Sequence, residues 1–181
     1  MRRLLPALVA TLLLSVPALA RADDDEKPVN EKDVPKAVVE ALQKKYVGAK
    51  VTAWMSEEED KALHYEAKIE VATRDKDGKE SMRKMEVVLS SEGKILEEEE
   101  KISTEALPDS VKKGLADSKF AKGTVTHVAR IVKNEKTDDP TYEIALVLDK
   151  QKVEVTFDKA GKVLEEEGAE EANPVEPAME K

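Results

Sequence analysis

The chain predicts an α+β protein of two tandem units, each one helix packed on a four-stranded antiparallel sheet, and three observations carry that expectation. The first is a hairpin written twice. Val153-Glu154-Val155-Thr156-Phe157-Asp158-Lys159-Ala160-Gly161-Lys162-Val163-Leu164-Glu165 repeats the plan of Met85-Glu86-Val87-Val88-Leu89-Ser90-Ser91-Glu92-Gly93-Lys94-Ile95-Leu96-Glu97. Gly93 and Gly161 supply the positive φ that a short connection between such strands needs. The second observation is a proline-led helical stripe before each copy, Val34-Pro35 with Val38 and Leu42, then Leu107-Pro108 with Val111 and Leu115. The third is a Tyr-Glu pair inside an alternating strand, Tyr65-Glu66 and Tyr142-Glu143. Repetition on this scale fixes architecture before any single residue does.

Residues 1–22 read as a secretory signal peptide: Met1-Arg2-Arg3, an apolar run from Leu4 to Val16, and small residues at Ala18, Ala20 and Ala22. Export to the periplasm or the medium is therefore expected, with no membrane insertion once the leader is cleaved. No later stretch approaches the ~20 apolar residues of a spanning helix. Cysteine is absent, which excludes disulfides, thiolate chemistry and a lipid-modified cysteine. Residues 23–32 read as an acidic, solvated linker.

The first unit is placed at 33–102. Val34, Ala37, Val38, Ala41 and Leu42 fall at helical spacing, with Asp33 a candidate cap and Gly48 the stop. Val51 to Met55 is a first strand. Leu63, Tyr65, Ala67, Ile69 and Val71 then alternate with His64, Glu66, Lys68 and Glu70, the pattern of a sheet with one covered and one wet face. Asp75 to Lys79 is turn chemistry, and Met85 to Glu97 closes the unit as a hairpin. The second unit is placed at 103–168: a helix through Leu107, Val111 and Leu115, weakened by Gly114, then strands at 125–132, 141–148 and 153–165. Residues 169–181, rich in glutamate and proline, read as a disordered acidic tail. A unit of ~60 residues buries a marginal core alone, so pairing of the two is favoured, with both helices on one face and the other face open.

These residues resemble the PepSY-like, beta-lactamase-inhibitor-like family. The shared order is a Val-Pro-x-Ala-Val helix, a Tyr-Glu strand and a Val-Glu-Val-x-Phe-Asp-x-x-Gly-Lys-Val-Leu-Glu hairpin. Here it runs as Val34-Pro35-Lys36-Ala37-Val38, Tyr65-Glu66 and the 85–97 hairpin, then as Leu107-Pro108-Asp109-Ser110-Val111, Tyr142-Glu143 and the 153–165 hairpin. The second hairpin fits closely. The first has Met85, Leu89 and Ser90 where the pattern prefers valine, phenylalanine and aspartate. The resemblance implies tandem helix-on-sheet units, export, and a binding or inhibitory role with no catalytic residues to transfer.

Charge narrows the partners. The net charge is −9, or −11 without Arg2 and Arg3, which repels nucleic acid. His64 and His127, the two histidines, read as ordinary strand residues, since a metal site needs three or four converging ligands. The runs Glu57-Glu58-Glu59-Asp60 and Glu97 to Glu100 read as solvated strand ends. No nucleophile-and-base pair appears, so neither catalysis nor a cofactor is expected. Trp54 has two readings: if Val51, Ala53 and Met55 face the helix it lies on the open face as an anchor, and in the alternative register it is core. The expectation is a monomeric, exported, non-enzymatic binding module or inhibitor that meets a protein or peptide through Trp54, His64, Glu66, Lys68, Glu86, Glu143 and Glu154. The alternative is an acidic envelope protein that holds divalent cations weakly.

Overall fold

An antiparallel meander, in which every strand pairs with its neighbours in sequence, is the frame on which two helices lie. The computed structural model describes residues 26–59, 61–74 and 77–171, the last three by backbone alone. The expected leader therefore lies outside the described residues. Among the described residues the sheet has nine strands: β1 Lys27–Pro28, β2 Lys50–Glu59, β3 Ala62–Arg74, β4 Glu80–Ser90, β5 Ile95–Lys101, β6 Thr124–Lys133, β7 Thr141–Leu148, β8 Gln151–Asp158 and β9 Val163–Glu171. Helix α1 spans Lys36–Lys45 and α2 spans Asp109–Asp117.

Each unit supplies one helix and four strands, but the units do not keep separate sheets. Strand β5 pairs with β6 from Glu97↔Lys133 to Lys101↔Ala129, so one sheet runs through both. The ninth strand comes from the supposed linker, where Lys27 and Pro28 pair with Ser56 and Met55. The tail is shorter than expected, because the β9 backbone continues through Glu171, opposite Gln151. Paired backbone groups decide both cases: an unpaired sheet edge offers donors and acceptors to any adjacent extended segment, whatever its side chains.

Apolar alternation puts two cores on the same side of the sheet. Val38 and Leu42 of α1 pack with Trp54, Tyr65, Ala67, Ile69, Val87 and Leu89. Val111 of α2 packs with Val128, Ile144, Leu146, Val155 and Phe157. The helices begin at Pro35 and Pro108, whose carbonyls accept from Val38, Val39 and Lys112. Asp33 is no cap: it ends a 3-10 turn and makes no capping bond.

Two close contacts fasten the helices. A Cβ on Gly161, at φ +85, would lie 2.1 Å from the Ser110 carbonyl oxygen, and one on Gly114 would lie 2.0 Å from that of Gly161. In the first unit a Cβ on Gly93, at φ +83, would sit 2.5 Å from the Ala37 oxygen. Gly114, expected only to weaken its helix, is what lets α2 touch the β8–β9 turn. At the seam, Glu98 is buried and accepts from Lys45 Nζ at 2.8 Å and from the Tyr46 hydroxyl, while the same ammonium reaches Glu135 Oε1 at 3.0 Å. Lys45 thus joins the end of α1 to both units. Burial works against its charge, but Glu98 and Glu135 outweigh that and raise its pKa.

Gly114→Ala, favoured by ~1 kcal/mol of helix propensity, is expected instead to destabilise the protein by roughly 2 kcal/mol, because its methyl group has no space. Urea unfolding checks the sign. Glu98→Ala leaves the Tyr46 hydroxyl without its acceptor and Lys45 with Glu135 as its remaining carboxylate partner, and is expected to cost roughly 1–2 kcal/mol in the same assay.

Candidate acidic trough on the open sheet face

The face away from the helices is curved into a trough of about 850 Å³, and eleven glutamates line it. Six of the seven predicted recognition residues lie in it: His64, Glu66 and Lys68 on β3, Glu86 on β4, Glu143 on β7 and Glu154 on β8. Strand alternation places them there, and antiparallel register brings them into rows, Lys68↔Glu86 in the first unit and Ala145↔Glu154 in the second.

Trp54 is not among them. The pairing of β2 with β3 slips between Val51 and Ala53, so Thr52 bulges and its hydroxyl donates to the Lys68 carbonyl at 3.0 Å. Val51 and Trp54 therefore both face α1, and Trp54 is only 5% exposed. A bulge adds one residue and reverses the facing of everything beyond it, which strict alternation could not show. The same slip recurs on β6 between Val125 and His127, with Thr126 donating to Ala145.

Sequence reading missed Glu26, Glu57, Glu97, Glu99 and His127, all of which line the trough. The glutamate run on β5 is not one solvated stretch. Glu97 and Glu99 line the trough, whereas Glu98 turns to α1 and Glu100 to Arg83, at 2.6 Å from its Nε. Alternation within the run was the available signal. Three side chains converge here that the sequence left apart: Glu99, His127 and Glu143, from β5, β6 and β7, place one donor atom each within 4.8 Å of the others.

The cations on this face sit among carboxylates. Lys68 Nζ lies 3.3 Å from Glu66 and 3.6 Å from Glu86; Lys133 reaches Glu97 at 3.2 Å; His64 lies 3.5 Å from Glu59 and His127 3.5 Å from Glu99. Partial burial opposes the Lys68 charge, yet Glu66 and Glu86 prevail and raise its pKa. Glu66 is pushed up to about 8, first by burial, then by its hydrogen bond with Glu26 and the charge of Glu86, with Lys68 pulling the other way. Glu66 on β3 is thus held toward its neutral form beside Glu26, the residue that precedes β1.

A duplicated helix-on-sheet protein with one open, acidic face is the class these features define. A family profile described as "Putative beta-lactamase-inhibitor-like, PepSY-like" matches residues 22–97 and again 80–165, most of the chain. The chain belongs to that family. Among solved structures it is similar to a "putative periplasmic" protein of Bacteroides eggerthii, at 22% identity and TM-score 0.60, covering 75% of this chain and 88% of that one. A DUF2874 family protein of Bacteroides uniformis matches at 18% identity and TM-score 0.59, covering 74% and 88%. A BLIP-like protein of Bacteroides fragilis matches at 21% and 0.56, covering 80% and 92%. At these identities the likeness is one of fold. No curated protein matches the chain.

The raised pKa of Glu66 has a defined sign. Between pH 4.5 and about 8 the folded state keeps a proton that the unfolded chain has released, so stability falls as pH rises through that window and levels off above it. Glu66→Gln is expected to flatten that slope and add on the order of 2 kcal/mol at pH 8, read from melting temperature against pH.

Proposed function

We propose that the protein is an exported, non-enzymatic binding module whose acidic trough captures a basic segment of a protein or peptide outside the cytoplasm. The observation that carries this is the trough itself: a concave sheet face lined by eleven glutamates against two lysines and two histidines. Such a field raises the local concentration of cationic partners and speeds their encounter. The described residues contain no helix long and apolar enough to cross a membrane, and the leader-like start of the sequence supports export. Where the basic segment borders an enzyme's active site, capture amounts to inhibition, the role that the family's description names.

Binding of a fluorescein-labelled peptide of alternating lysine and alanine, measured by anisotropy in metal-free buffer, tests the reading. The expected result is saturable binding that weakens steeply with salt and falls at least tenfold in the Glu86→Gln, Glu154→Gln double variant. Trp54→Phe is expected to lower the melting temperature and leave binding unchanged. Equal affinity for an alternating glutamate–alanine peptide, or no effect of the double variant, refutes the trough as the recognition surface.

A further inference from the structure

We infer that Glu99, His127 and Glu143 form a specific site for one divalent transition-metal ion, of which Zn²⁺ is the natural probe, at the seam between the two units. The donor set is one imidazole nitrogen and two carboxylate oxygens, and these atoms already lie within 4.8 Å of one another. His127 Nε2 and Glu99 Oε1 are 3.5 Å apart. Two ligands of a tetrahedral zinc ion, each ~2.0–2.1 Å from the metal, are separated by about 3.3 Å, so that edge is almost in place.

The position of the cluster has a physical cause. Strand β6 runs between β5 and β7, with Ile131 opposite Glu99 and Ala129 opposite Glu143. Ala129 carries only a methyl group at the centre, so the flanking carboxylates can close over it. Alternation along β6 puts His127 on the same face as Ala129 and Ile131, and the bulge before it turns Val125 to the core. Glu143 is 5% exposed, and a carboxylate at that depth is stabilised by a cation beside it.

The first unit is an internal comparison. Its equivalent bulge puts Ala53 where the second has His127, and Glu26 and Glu66 stand where the second has Glu99 and Glu143. The first acid pair has no imidazole beside it. With one, the second pair acquires a nitrogen donor and the ligand set of a transition metal with an open position for water or a partner's side chain. Calcium, which takes six to eight oxygens, is poorly served by two carboxylates and an imidazole. The proposal therefore differs from diffuse cation binding by glutamate runs, and it holds whether or not the trough takes a basic peptide.

Calorimetric titration of the untagged protein with Zn²⁺ at pH 7 tests it, alongside Co²⁺ absorption spectra. Expected are one ion per chain, a rise in melting temperature at saturation, and at least tenfold weaker binding in both His127→Ala and Glu143→Gln. His64→Ala is expected to bind as the parent does, and Ca²⁺ at the same concentration to give no saturable heat. Uptake that survives His127→Ala, or several weak ions per chain with Ca²⁺ equivalent to Zn²⁺, overturns the site. So does an absence of saturable Zn²⁺ binding in the folded parent, which would leave His127 a simple ion-pair partner of Glu99.

Discussion

Pairing of β5 with β6 is the interaction on which the rest depends. Neither repeat has the size to bury a secure core alone, and each leaves a strand edge with unsatisfied backbone groups. Joining the edges satisfies those groups from Glu97↔Lys133 to Lys101↔Ala129 and keeps the sheet's two sides continuous. Both helices then cover one side, and the other becomes a single long surface. On the covered side the same seam carries Glu98 with Lys45 and Tyr46; on the open side it carries Glu97, Glu99 and Lys133.

Duplication also explains how the covered side is built tightly while the open side diverges. The helix-to-turn contact allows almost no variation, since Gly93 and Gly161 each lie against a helix carbonyl at distances a side chain cannot share. The open face has no such packing constraint. At equivalent positions it holds Ala53 and His127, Met55 and Ala129, Lys68 and Ala145. Two copies of one acid pair thereby acquire different surroundings, a lysine, Lys68, in the first and an imidazole, His127, in the second.

Concentrating glutamates on one concave face is costly in self-repulsion, and the protein moderates it in three ways. Glu66 takes up a proton, lysines and histidines stand between carboxylates, and the trough remains open to water and counter-ions. A surface held in that state is ready to exchange its protons and small ions for a larger cation. The proposed recognition by the trough would draw on electrostatics that folding has left unneutralised.

Periodicity in the sequence was enough to place the two units, the strands of each, their turn glycines and part of the open face, because a period of two assigns sides without reference to anything distant. His64, Glu66, Lys68, Glu86, Glu143 and Glu154 were legible for that reason. Tertiary structure alone decided the facing of Trp54, since a bulge is set by the neighbouring strand's hydrogen bonds and leaves the residue pattern unchanged. It alone decided that Lys27 and Pro28 would extend the sheet, and that Glu99, His127 and Glu143 would meet. Those three residues lie on separate strands of both repeats, and what brings them together is the register of β5 on β6 and β6 on β7, a relation between segments that no local spacing encodes.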